Sequence, residues 1–153
     1  MTGFLLINKP TGITSHDVVD QVRKITGQRK VGHAGTLDPF ATGLLIVAVG
    51  RESTKKLSKL VGLDKEYEAV FVLGARSETD GPEGPIVENS DAREPSRSEV
   101  ETAMKKFIGQ IEQIPPKYAA IKVKGKKLYE AARAGEEIER KPRQVRIDEY
   151  ELL

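Results

Sequence analysis

Val18, Val19, Val22 and Ile25 recur at helical spacing and predict an amphipathic helix, capped at Thr14 or Ser15 and stopped by Gly27. Before it, Phe4 to Ile7 reads as a short strand ended by Lys9-Pro10-Thr11-Gly12. Leu44 to Val49 is a continuous apolar run followed by Gly50, the pattern of a buried strand. Ser53 to Val61 predicts a helix with Leu57 and Leu60 inward. Glu66 to Leu73 alternates, which predicts a strand with Tyr67, Ala69, Phe71 and Leu73 on one face.

Residues 75–95 are rich in Gly, Pro and acids and read as a loop or irregular hairpin around a short strand at Pro85 to Glu88. Ser96-x-x-Glu99 is a capping box; the helix it opens turns Val100, Ala103, Met104, Phe107 and Ile108 inward and ends at Gly109. Tyr118 to Lys127 predicts a hairpin turning at Lys124-Gly125, and Leu128 to Ala134 a short helix closed by Gly135. Arg143 to Leu152 reads as a final strand with Val145 and Ile147 on one face. Helices and strands in this irregular order predict an α+β fold with a mixed sheet. Neither a repeat nor a linker interrupts residues 1–153, which read as one domain.

Composition narrows the chemistry. Four Phe, four Tyr and no Trp leave the core to aliphatic side chains. With no Cys there are neither disulfides nor thiolate metal sites, and two isolated His offer no metal cluster. The run Leu44 to Val49 is too short to span a bilayer, and nothing near Met1 reads as a signal peptide, so a cytoplasmic protein is expected. The net charge of +2 says little, but its distribution is uneven. Acids dominate from Glu78 to Glu101, and bases from Lys117 to Arg146, where Lys122 and Lys126 lie between Tyr118 and Tyr129. Such a strip is either a solvated face or a surface for a phosphate backbone and unstacked bases.

The densest chemistry is Gly32-His33-Ala34-Gly35-Thr36-Leu37-Asp38-Pro39-Phe40-Ala41-Thr42-Gly43-Leu44-Leu45. It places one carboxylate, Asp38, in a Gly-rich loop at a strand entrance, with Pro39 biasing Asp38 towards extended geometry. The same residue types also make ordinary turns. No Gly-Lys-(Ser/Thr) follows between Gly32 and Lys56, which argues against a phosphate-binding loop.

The order of those fourteen residues resembles the hallmark segment of the TruB family of pseudouridine synthases. Leu6-Ile7-Asn8-Lys9-Pro10-Thr11-Gly12-Ile13-Thr14-Ser15 resembles the family's opening Lys-Pro-x-Gly-x-(Ser/Thr)-Ser motif. Lys65-Glu66-Tyr67 resembles its Lys-x-Tyr segment, and Ile114 to Tyr129 its Pro-Pro-x-Tyr-Ser-Ala-x-Lys block, with Ala119 in place of a common Ser. Arg140-Lys141-Pro142-Arg143 continues the pattern. After the third motif, Ser77 to Gly84 displaces the family's acidic pattern. The later Tyr-Ile-Arg motif, whose Arg pairs with the catalytic Asp, has no counterpart before Leu153.

The resemblance implies a largely antiparallel mixed sheet with flanking helices, present as the N-terminal part of a catalytic domain and without the C-terminal RNA-binding domain of bacterial members. It implies isomerisation of uridine to pseudouridine in the T-loop of transfer RNA, at position 55, with no cofactor and no metal. Asp38 falls on the family's nucleophile, either attacking the ribose C1′ or assisting elimination of the base. Tyr67 falls on the Tyr that lies against the target base and is expected to be catalytic with Asp38, stacking on the uracil or relaying the C5 proton, and otherwise is a half-buried strand Tyr. His33 is expected to fill the space left by the extruded uridine or to touch it, and otherwise is a structural loop His. Lys9 is expected at the RNA or as a buttress of the Asp38 loop, and Lys122 and Lys126 at phosphates. The expected partner is the T-stem-loop, with no membrane. A final strand left unpaired invites self-association. The second functional class is a catalytically incomplete module that holds the T-loop without turning it over.

Overall fold

The computed structural model describes residues 1–119, 122–123, 126–136 and 138–153, with side chains except at Lys122, Lys126, Lys127, Tyr129, Glu130 and Arg133. Contacts gather into two compact units, Met1–Ala69 and Val70–Leu153. No helix among the described residues is long and apolar enough to cross a membrane.

The first unit holds strand β1 (Gly3–Lys9), helix α1 (Ser15–Thr26), strands β2 (Val31–Ala34) and β3 (Gly43–Val49), and two short helices, α2 (Arg51–Thr54) and α3 (Leu57–Val61). Its sheet runs β1-β3-β2 with both pairings antiparallel, from Gly3↔Val49 to Lys9↔Gly43 and from Val31↔Val49 to Ala34↔Ile46. The central place of β3 explains its unbroken apolar sequence, because both of its faces are covered along much of its length. Leu45, Val47 and Val49 pack with Val31 against Val18, Val19 and Val22 of α1, and Ile7 and Ile13 close the cluster. On the other face α3 approaches β2 so closely that a Cβ at Gly32 would lie 3.0 Å from Leu57 Cδ1.

Helix α1 follows its sequence signals at both ends. Thr14 caps it in a reciprocal box with Asp17, and Gly27 closes it in the left-handed conformation. Its buried stripe is Ser15, Val18, Val19 and Val22, so the core face begins one turn earlier than expected. Ile25, expected inward, is 83% exposed, because the stripe passes to Thr26 where the helix runs out. The helix expected from Ser53 to Val61 is broken at Lys55 and Lys56, although Leu57 and Leu60 are half-buried as read.

Glu66 to Leu73 contains no strand, and Tyr67, Val70, Phe71, Val72 and Leu73 are exposed. Alternation creates a strand only when a neighbour takes up its backbone groups, and none of the described strands pairs with this segment.

The second unit pairs strand β4 (Ala75–Ser77) with β5 (Ile86–Glu88), which makes the acidic loop a hairpin. Helix α4 (Arg97–Lys105) carries the expected capping box, Ser96 with Glu99. It buries no residue fully; Ala103, Phe107 and Ile108, expected inward, are exposed, with Phe107 edge-on to Tyr150 at 6.4 Å. Gly109 does not merely end that helix but opens strand β6 (Gly109–Gln113), which pairs antiparallel with β9 (Arg143–Ile147). The final strand therefore stops at Ile147, before Leu152, and one of its edges is paired. Strands β7 (Lys122–Val123) and β8 (Lys126–Lys127) pair as a hairpin requires, while its expected turn, Lys124-Gly125, lies outside the described residues. Helix α5 (Leu128–Arg133) buries Leu128 and Ala131. Among the described residues the fold is α+β with every pairing antiparallel, distributed over four small sheets rather than one.

Candidate active site

Asp38 lies in the connection from β2 to β3, and the β1–α1 connection grips that loop from the side. The loop leaves β2 through Gly35 (φ +88°) and enters β3 through Gly43 (φ +123°), conformations that cost a side chain dearly. His33, near the end of β2, donates from Nδ1 to the Gly35 carbonyl. A carbonyl only accepts, so in the neutral ring the proton sits on Nδ1 and Nε2 carries the lone pair.

Each residue flanking Asp38 is tied to the segment 9–15. Leu37 donates its amide to Ser15 Oγ at 2.9 Å, and Ser15 Oγ donates back to the Leu37 carbonyl at 3.1 Å. The Pro39 carbonyl accepts from the Gly12 amide at 2.8 Å and from Lys9 Nζ at 3.3 Å. Thr11 Oγ1 donates to the Phe40 carbonyl at 3.0 Å. The Ala41 amide then bonds the Asp38 carbonyl at 3.1 Å, closing a turn with Asp first and Pro second, the residues such a turn favours.

Lys9 is the hub. It is fully buried, and its ammonium donates to the carbonyls of Pro10 (2.9 Å), Ile13 (2.8 Å) and Pro39 (3.3 Å). Three N–H groups meet three oxygens, which is what burying a cation demands in the absence of a carboxylate. Lys9 Nζ thus faces the carbonyls of Pro10, Ile13 and Pro39 rather than solvent.

The Asp38 carboxylate is exposed at the crest of this braced turn, and no described residue donates a hydrogen bond to it. It lies in neither of two surface hollows, one lined by Arg23, Lys24 and Arg29 at the end of α1, the other by Leu128, Ala131 and Arg140 in the second unit. An exposed acid on a stiffly braced loop is open to approach from solvent.

The other expected site residues are placed unevenly. His33 is half-buried on β2, opposite Val47, at the foot of the Asp38 loop. Tyr67 is 70% exposed in the extended segment after α3, with no ring contact among the described residues. Lys122 and Lys126 belong to β7 and β8 of the second unit, and their side chains lie outside the described residues. Thr11 and Ser15 stand in the opening motif, where Ser15 reads only as a candidate helix cap and Thr11 has no assigned role. One available signal was that Ser15 precedes Val18, Val19 and Val22 at the spacing of the buried face, which makes it a core position occupied by a hydroxyl.

The chain resembles known proteins in sequence and in fold. Residues 23–153 match the N-terminal domain of the TruB family pseudouridylate synthases. The chain is 48% identical to the tRNA pseudouridine synthase B of Geobacillus thermodenitrificans over 154 aligned positions, covering all of this chain and 51% of that one. It is 46% identical to the tRNA pseudouridine synthase B of Desulfotalea psychrophila, covering 99% of this chain and 61% of that one. The chain thus spans about half the length of the curated relatives it matches. Among solved structures it resembles a chain of a Cbf5–Nop10–Gar1 complex, with a TM-score of 0.53 and 26% identity, over 94% of this chain and 33% of that one. With the motifs in order, the family domain matched over residues 23–153 and near-half identity to named members, the chain belongs to the TruB family of pseudouridylate synthases.

Proposed function

We propose that this chain carries the catalytic loop of an enzyme that converts uridine to pseudouridine in the T-loop of transfer RNA, at position 55, with Asp38 as the nucleophilic carboxylate. The observation that carries the reading is the exposed Asp38 carboxylate on a turn tied down at Leu37, Pro39 and Phe40. The reaction breaks the bond from N1 of uracil to C1′ of the ribose, turns the base, and joins C5 to C1′. C5 gives up a proton and N1 gains one, so the product is an isomer and no redox partner or metal enters the balance. A carboxylate that holds the sugar while the base turns keeps the fragments together. The target uridine leaves its stack first, at a cost of a few kcal/mol, which contacts along the stem-loop offset.

In this reading Tyr67 supplies a flat face for the extruded uracil, a kind of contact worth roughly 1–3 kcal/mol. His33 stands at the loop's foot, where the emptied space is filled or the flipped nucleotide touched. Lys122 and Lys126 neutralise phosphates of the RNA backbone. The partner is the T-stem-loop of a cytoplasmic tRNA, residues 1–153 act as the N-terminal part of one catalytic domain, and the outer edge of β9 is where two copies would pair.

The test is release of tritium from a T-stem-loop RNA labelled at C5 of its uridines, run beside a direct binding measurement. Asp38→Asn is expected to bind RNA within about twofold of the parent and to release no tritium. Ordinary single-turnover release by the Asn variant would falsify the role of Asp38. Binding without release by the parent chain would favour the module that holds the T-loop without turning it over.

A further inference from the structure

We propose that Ser15 is the positioning residue of the Asp38 loop, transmitting the rigidity of the α1 core to the peptide unit immediately before the reacting carboxylate. The inference rests on the reading of Asp38 given above and extends it to a residue that never touches substrate. Ser15 is 2% exposed and occupies the first turn of α1, on the face that continues through Val18, Val19 and Val22. Its neighbours Thr14 and Asp17 are locked in the reciprocal cap, with the Thr14 amide 2.8 Å from Asp17 Oδ2, so the Ser15 backbone has little freedom.

From that fixed point one hydroxyl satisfies both backbone groups of Leu37, accepting at 2.9 Å and donating at 3.1 Å across 22 residues of sequence. The arrangement does the work of a strand partner where the loop has none, since a half-buried peptide needs both its groups satisfied. Leu37 precedes Asp38 directly, and the matching anchor after it is Pro39, held by Lys9 and Gly12. With anchors on both sides, the carboxylate keeps its place before the substrate arrives, and misplacement of about 1 Å can cost about a hundredfold in rate.

The experiment compares the parent chain with Ser15→Ala, which removes the hydroxyl at almost constant volume, and Ser15→Thr, which restores it. Amide exchange by NMR without RNA is expected to be at least tenfold faster at Leu37 in Ser15→Ala. Exchange at Val47 and Val49 should be unchanged, and Ser15→Thr should restore protection at Leu37. With labelled T-stem-loop RNA at saturation, single-turnover tritium release should be ten- to a hundredfold slower in Ser15→Ala and restored in Ser15→Thr. RNA affinity should stay within twofold throughout, a split that general loosening of the fold does not produce. Asp38→Asn run in parallel separates the two ideas. If it abolishes release while Ser15→Ala keeps the parent rate, the positioning role is overturned. If Asp38→Asn itself keeps turnover, the Asp38 reading fails, and the exchange data alone judge the clamp. Unchanged protection of Leu37 in Ser15→Ala overturns the proposal whatever the activity of the chain.

Discussion

At the scale of single residues, Lys9 shows how much of the site is backbone support rather than reacting groups. Its stem runs through the interior and its ammonium ends among three carbonyls. Lys9→Met keeps most of the volume but strips the donors from Pro10 and Ile13, while Pro39 retains the Gly12 amide. A buried acceptor left unpaired costs about 1–3 kcal/mol, and because Pro10 is exposed to water and Ile13 half-buried, a loss on the order of 1–3 kcal/mol is expected. The urea midpoint should fall at an unchanged slope. Lys9→Arg should not rescue it, because a planar fork of five donors does not match three converging oxygens around a point charge. Equal stability of Lys9→Met and parent would mean that the ammonium is not held as described. Asp38 itself was legible in the sequence because its neighbours, Gly35, Pro39 and Gly43, are short-range signals for a bent loop. Ser15 was not, because its partner lies 22 positions away and only the folded chain brings them together.

At the scale of elements, signals held within a few residues proved readable, and those that depend on a distant neighbour did not. Helix α1 carries its own start and stop, and α4 its own capping box, so both begin where the sequence places them. Strands β2 and β6 carry little pattern of their own: β2 is only four residues long and contains Gly32, while β6 has the single large apolar residue Ile111. Both owe their existence to β3 and β9 alongside. Glu66 to Leu73 shows the converse, with a good pattern and no partner among the described strands.

The cap of α4 carries a pH prediction of its own. The Arg93 guanidinium beside Glu99, then the Ser96 amide and hydroxyl, hold the Glu99 carboxyl down at about 2, from an ordinary value of 4.5. A carboxyl depressed on folding supports the native state above its ordinary value, and that support fades as pH falls from about 4.5 through about 2. The amides of the first turn of α4 should therefore lose exchange protection across that window. Glu99→Gln should abolish this acid dependence and lower protection at neutral pH. Retention of the same acid transition in Glu99→Gln would assign it to another group. Because the pair is exposed, added salt should weaken the effect.

At the scale of the whole molecule, the Asp38 loop belongs to the first unit and the basic strip, Lys117 to Arg146, to the second. Several bases of that strip are occupied at home: Lys117 lies 3.9 Å from Glu78, Arg143 donates to Gln113 at 2.7 Å, and Arg146 to Asp148 at 2.6 Å. Exposed pairs of this kind are worth little and exchange readily for phosphate, so they do not remove these residues from RNA binding. Lys122 and Lys126, on the paired strands β7 and β8, are the positions at which the strip is tested. Each phosphate neutralised along a single strand contributes roughly 0.7 to the slope of log affinity against log salt. Reversing both lysines to Glu should therefore flatten the slope by about 1.4 and weaken binding most at low salt. The rate of tritium release at saturating RNA should hold within about threefold, because phosphate contacts position the RNA without touching the uracil. Measured slopes that coincide for parent and double variant would place the RNA on another surface, with the Arg23, Lys24 and Arg29 hollow of the first unit the next to reverse.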